Sequence, residues 1–273
     1  MEWFTIALSS LLTLLVPAGA ILDSVLANSI RARVNKVEQL SVRVDNTPSY
    51  QALQGKVDRV RVAGRGLYPV EGFRVEAIDL ETDPLSVDIG KLQQKKAKLN
   101  EALRKPASGA LRLVLTEEDI NKALQSPEIK ARVQAVIDRA VPRREETGNQ
   151  SFQLQSARVD FLENNRVATT IEVRSIRDGQ VSEPIDLALE VGLKVIDGRK
   201  LELLDPSGTL NGRRLSGRIL RGFADGIAER LDANALAKEG IFARLLQFQI
   251  DGDKLQVAVF ARLDPRSGNT SQR

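Results

Sequence analysis

Ile185-Asp186-Leu187-Ala188-Leu189-Glu190-Val191-Gly192-Leu193-Lys194-Val195 decides how the chain is read. Every second residue from Ile185 to Val195 is Ile, Leu or Val, and the intervening positions hold Asp186, Ala188, Glu190, Gly192 and Lys194. Successive side chains of a strand point to opposite faces, so this segment is a strand with one aliphatic face and one largely polar face. A sheet with one dry and one wet side is the ordinary product of antiparallel pairing.

The same reading spreads outward. Leu246, Phe248 and Ile250 stand opposite Leu255, Val257 and Val259 across Asp251-Gly252 in a last hairpin. Asn164-Asn165, Asp178-Gly179 and Asp197-Gly198 punctuate other alternating runs, and such dipeptides close hairpins because they accept positive φ. Between these strands, Leu215, Ile219, Phe223, Ile227 and Leu231 recur at four-residue spacing, with Arg214, Arg218, Arg221 and Glu229 elsewhere. That spacing predicts an amphipathic helix laid across the dry side of the sheet. The expected apolar lining is Leu187, Leu189, Val191 and Leu193, then Leu215, Ile219, Phe223 and Ile227, then Phe248, Ile250, Val257 and Val259.

Upstream, Leu40, Val42 and Val44 alternate with polar residues, as do Val60 and Val62; Phe73, Val75, Ile78 and Leu80 lead on to Leu85, Val87 and Ile89. All read as short strands. Lys91, Lys95, Lys96, Lys98, Arg104 and Lys105 mark a basic helix or loop, either a solvated face or one turned to lipid headgroups. A strand at Leu111–Leu115 meets Thr116, followed by Glu117, Glu118 and Asp119. A hydroxyl cap followed by acids is a helix start, because capping and the helix dipole both favour it there. That helix breaks near Ser126-Pro127, and a second one carries Ile129, Val133, Val136, Ile137 and Ala140 up to Pro142. Residues 143–150 read as a linker or long loop.

From Trp3 to Leu22 there is no charged residue, a length suited to crossing a bilayer. Ala18-Gly19-Ala20 resembles a signal-peptidase site, so the run reads as an exported signal or an uncleaved anchor. Arg31, Arg33 and Lys36 after it favour a cytoplasmic C-terminal side, the cleavage-like site favours export, and the exported side is the expectation adopted. Leu22, Val25, Leu26, Ile30, Val34 and Val37 predict a helix over 22–37, either packed on the sheet or lying at the bilayer interface. The division expected is 1–22 signal or anchor, 23–263 one binding domain, and 264–273 a disordered tail.

Composition narrows the chemistry. The 273 residues include no Cys and no His, which closes Ser-His and Cys-His nucleophiles and ordinary zinc sites. No phosphate-cradling glycine loop follows a strand, and Ala63-Gly64-Arg65-Gly66 lacks the third glycine. No enzyme, metal or cofactor is expected. A net charge of +4 with 4% aromatic residues is poor for nucleic acid and compatible with anionic membranes.

With that order of elements in view, the chain resembles the LmeA-type family of bacterial phospholipid-binding proteins over residues 20–263. The resemblance is carried by the membrane run and its extension, Leu53-Gln54-Gly55-Lys56-Val57-Asp58-Arg59-Val60-Arg61-Val62, Leu111-Arg112-Leu113-Val114-Leu115-Thr116-Glu117-Glu118-Asp119-Ile120-Asn121, and Phe248-Gln249-Ile250-Asp251-Gly252-Asp253-Lys254-Leu255-Gln256-Val257. It implies an α+β fold, a curved antiparallel sheet wrapped around amphipathic helices similar to tubular lipid-binding modules. It also implies phospholipid bound in an apolar groove at the cell envelope. The bottom-up reading agrees: rows of Leu, Val and Ile exceed what the helices can cover, and an acyl chain can supply the difference. The competing expectations are a membrane-tethered scaffold with a closed core and a carboxylate-dependent hydrolase.

Overall fold

The computed structural model describes residues 27–28, 30–32, 34–47, 51, 54–92, 99–140, 150–177, 180–230 and 240–265. The membrane run, the linker over 143–149, Asp178-Gly179 and the tail beyond 265 lie outside them. In chain order the elements are β1 (Lys36–Asp45), β2 (Lys56–Val57), β3 (Arg59–Val70), β4 (Phe73–Thr82), β5 (Leu85–Ser86), α1 (Ile89–Leu92), α2 (Leu99–Ala102), β6 (Ala107–Thr116), α3 (Glu117–Gln125) and α4 (Pro127–Ala140). There follow β7 (Gln150–Leu162), β8 (Arg166–Arg177), β9 (Gln180–Val181), β10 (Ile185–Ile196), β11 (Lys200–Leu210), β12 (Arg213–Arg214), α5 (Gly217–Arg230), β13 (Ile241–Asp251) and β14 (Lys254–Leu263).

The strands pair antiparallel throughout, as the alternation and turns require, but they form two large open sheets and a small β2-β5 pair where the sequence suggests one wrapped sheet. Sheet one runs β1-β3-β4-β6-β14-β13, and sheet two runs β12-β11-β10-β8-β7 with β9 on β8. The last hairpin returns to the first sheet, β14 pairing with β6 from Leu263↔Ala107 to Lys254↔Thr116. The decisive Ile185–Val195 strand therefore belongs to a different sheet from Phe248 and Val257.

Near the start, helix gives way to strand sooner than spacing predicts. Ala27, Asn28, Ile30 and Arg31 are helical, Ala32 N–H donates to the Asn28 carbonyl, and Asn35 N–H already donates to Tyr68 of β3. Val37, assigned to that helix by its period, pairs with Leu67 in β1, because the ladder with β3 offers the backbone a full set of partners. Ile89 likewise opens α1, while Val87 forms a single bridge with Leu103.

Four register shifts interrupt the ladders, and the three in β7, β11 and β13 bear on which side chains share a face. Between Glu190↔Ser207 and Gly192↔Leu204 one extra residue enters β11, and Asp205 takes φ +45 there. One inserted residue inverts the alternation, so Leu201 and Leu203 before it and Leu210 after it stay on one side. The irregularity between Leu154 and Ser156 does the same in β7, keeping Phe152 and Leu154 with Ala157, Val159 and Phe161. In β13 the extra residue is Leu246: Leu245, not Leu246, pairs with Val259, and Leu246 is 59% exposed. Asn211-Gly212, with φ of 49 and 74, closes a two-residue hairpin between β11 and β12, a turn legible in its Asn-Gly that the alternation reading passed over.

Sheet one carries the core. Val60, Val62, Leu80, Ala107, Ile241 and Leu263 are buried against Ile30 of the N-terminal helical turn and against Leu85, Val87 and Leu103. The sheets meet where Leu245 N–H donates to the Gly198 carbonyl and Ile250 N–H to Asn165 Oδ1, so two hairpin tips of sheet two abut β13.

Thr116 caps α3 as expected, its Oγ1 accepting from Asp119 N–H at 3.1 Å. The helix pair α3–α4 then closes the free edge of β7. Asn121 donates to the Val159 carbonyl and accepts from Val159 N–H, Gln134 does both for Phe152 and Leu154, and Glu117 accepts from Phe161 N–H. Side-chain amides thus occupy groups that would otherwise template another strand. Asn121→Ala should cost about 1–3 kcal/mol by orphaning both Val159 groups. Hydrogen exchange should report it as faster exchange at the Val159 amide, with the Phe248 amide unaffected.

Candidate functional site: the open apolar face

On sheet two, register places Phe152, Leu154, Ala157, Val159 and Phe161 of β7 beside Val173, Ile171, Thr169 and Val167 of β8. The same face continues with Ile185, Leu187, Leu189 and Val191 of β10, and then with Leu203 and Leu201 of β11 opposite Leu193 and Val195. None of these apolar side chains reaches the buried class; the buried apolar residues of the strands all belong to sheet one or to β5. A face this rich in Leu, Ile and Val and only half covered by the described residues is the candidate binding surface, since each such side chain fully removed from water is worth about 1.5–3 kcal/mol.

Two cavities lie along it. The first, about 550 Å³, sits beside α5 and is lined by Thr169, Leu189, Gly208, Leu215 and Leu220 among others. Gly208 allows this close approach: a Cβ there would stand 2.7 Å from Leu189 Cδ2 and 3.4 Å from Leu220 Cδ2. The second, about 500 Å³, lies at the sheet junction, where Leu193 and Val195 of β10 face Leu246, Phe248 and Ile250 of β13. Both volumes fall in the range of about 300–1,000 Å³ typical of ligand sites. Leu189 and Leu193 are four residues apart on one strand, so the cavities follow each other roughly 13 Å apart along β10.

The structure thus joins Leu189 with Leu215, and Leu193 with Phe248 and Ile250. Leu187 and Val191 lie on the same half-covered face outside both cavities. Val257 pairs with Phe248 and is half-buried; Val259 pairs with Leu245 and is buried at the margin of the core. On the helix the arrangement differs from the spacing. Leu215 precedes α5, tied by its N–H to the Gly208 carbonyl, and the helix buries Leu220 and Ala224, leaving Ile219 57% exposed. A ridge with the small Ala224 settles closer to β11 than one of Ile and Phe could, and Ile219 turns out with it. The side chains of Phe223 and Ile227 lie outside the described residues.

Spacing of apolar residues gave no sign of the polar rim. Glu190 is committed to Arg166 Nε at 2.7 Å, whereas Arg214 beside the first cavity and Lys194 beside the second have no ion-pair partner among the described residues. Among the described residues no group of His, Cys, Asp or Glu could hold a metal ion.

Fold and site together define a sheet-rich binding protein whose open face suits an apolar guest and whose rim offers cations. The chain belongs to the LmeA-like phospholipid-binding family, whose profile matches residues 14–260. No curated protein and no solved structure matches it.

Proposed function

We propose that this protein binds a phospholipid with its acyl chains along the open face of sheet two, from the α5 cavity to the junction cavity, as a carrier at the cell envelope. The carrying observation is the contrast between the sheets: sheet one buries its core, and sheet two leaves every apolar strand side chain partly exposed. Arg214 and Lys194, without an ion-pair partner among the described residues, suit a headgroup phosphate at either end. The meeting of two apolar faces at β13 supports a tubular lipid-binding arrangement. The uncharged run from Trp3 to Leu22 would deliver or hold the protein on the exported side.

Lipid extraction and native mass spectrometry of the intact chain test this. Phospholipid in fixed ratio to protein, and saturable uptake of added phospholipid, are expected. Bare polypeptide with no saturable uptake would leave the scaffold reading instead. Protease added to intact cells should cleave the binding domain on the outer side of the membrane.

A further inference from the structure

The solvent side of sheet one changes character across its width. On β1, β3 and β4 its charges are answered: Arg61 pairs with Asp45 at 2.7 Å and Arg65 with Asp79 at 2.9 Å. Toward the Ala107–Leu263 end of β6, β14 and β13 the outward positions are Ser108, Ala110 and Arg112, Ala258, Phe260 and Arg262, and Phe242 and Arg244; Arg112 holds Asp79 at 3.3 Å, and the carboxylate of Asp251 stands at the far end of β13 opposite Lys254. Register sets Phe242 beside Arg262 and Arg244 beside Phe260, a checkerboard of rings and guanidinium groups. Phe242 is 54% exposed and Phe260 37%, and the bulged Leu246 adjoins them. Arg244 has no ion-pair partner among the described residues, while Arg262 holds Asp264.

We propose that this outer face of the β13–β14 hairpin docks on an anionic bilayer, Phe242, Phe260 and Leu246 entering the interface and Arg244 and Arg262 meeting lipid phosphates. Large apolar side chains beside Arg244 and the half-exposed Arg262 match a surface that is greasy below and negative above. Leu246, bulged from β13 two residues beyond Arg244 and 59% exposed, lines the junction cavity, so a bilayer docked on this hairpin would lie near that cavity's mouth. In giving the groove its lipid source, the inference rests on the binding reading above.

The chain has no native cysteine, so Ala110→Cys, beside Phe260 in the register, takes a single environment-sensitive nitrobenzoxadiazole label. Ser41→Cys places the control label on the same side of the distant β1. With intact protein and vesicles of phosphatidylglycerol in phosphatidylcholine, the label at 110 should shift to the blue and resist an aqueous quencher. It should do so several-fold less on phosphatidylcholine alone, and the label at 41 should stay wet on both. Phe242→Ser with Phe260→Ser, and separately Arg244→Glu, should remove the protection with circular dichroism unchanged.

Protection equal on both vesicle types, a label at 110 still open to quencher on bound protein, or protection that grows with protein concentration without vesicles would overturn the docking face. The last outcome would make it an interface between copies. Lipid extracted from the same preparations reads the groove separately: empty protein that still docks tells against the binding reading alone, and loaded protein that does not dock tells against the docking face alone.

Discussion

Leu189→Asp combined with Leu193→Asp is expected to strip phospholipid from the protein and leave it folded. The two residues sit on one strand, and each lines one of the two cavities. A carboxylate at either point would need water where the proposed acyl chain lies, and desolvating a charge against hydrocarbon is far costlier than any packing change. The pair should weaken binding at least 100-fold, roughly 3 kcal/mol. Both side chains are half-exposed without a guest, so the thermal transition should stay within a few degrees of the parent. Val62→Asp supplies the contrast: Val62 is 4% exposed within the core of sheet one, and a charge there should prevent folding. Lipid extraction beside circular dichroism checks all three proteins. A doubly substituted chain retaining its full lipid would end the groove proposal.

Arg74→Met carries the largest expected cost to stability outside the core. Arg74 joins three elements: it holds Glu76 at 2.6 Å, Asp119 of α3 at 2.8 Å and Glu38 of β1 at 3.2 Å. The Asp119 side chain is only 7% exposed, so removing the guanidinium leaves a buried carboxylate without its cation. Breaking such a pair costs about 3–5 kcal/mol, and the partial exposure of Arg74 argues for the low end, near 3 kcal/mol. In a chain of this size that corresponds to a fall in Tm of roughly 6–12 °C. Arg74→Lys should recover little, because one ammonium cannot reproduce the fork that serves three carboxylates.

The same cluster has a pH signature. Hydrogen bonding from Arg74 holds the Glu38 carboxyl below the usual glutamate range. A group with a lowered native pKa contributes stability that is complete above its unfolded value and is lost as pH falls through the native one. The parent should therefore lose stability in acid below about pH 4, and Arg74→Met should show a shallower acid limb in urea titrations.

How much of this was legible depends on how local the information is. The strand at Ile185–Val195, the helix start at Thr116 and the break at Ser126-Pro127 came out as read, because alternation, capping and proline act within a few residues. The α5 stripe was misleading in one respect: four-residue spacing identified a helix, while close packing on β11 selected Leu220 and Ala224 and left Ile219 out. Leu246 shows the same limit, since counting by twos cannot reveal a residue bulged against a partner strand. Asn121 and Gln134 had no visible role until β7 lay beside them.

The residues alone determined the antiparallel pairing, the absence of imidazole and thiol chemistry, and the surplus of aliphatic side chain. Those follow from composition and from the fixed alternation of a strand. Only the tertiary structure decided that the strands divide into two sheets, with β14 returning to β6, and which of the two apolar faces the chain itself covers. Cover depends on segments far apart in sequence competing for one surface; Ile30, Leu85 and Leu103 cover sheet one, and nothing equivalent among the described residues closes the face of sheet two.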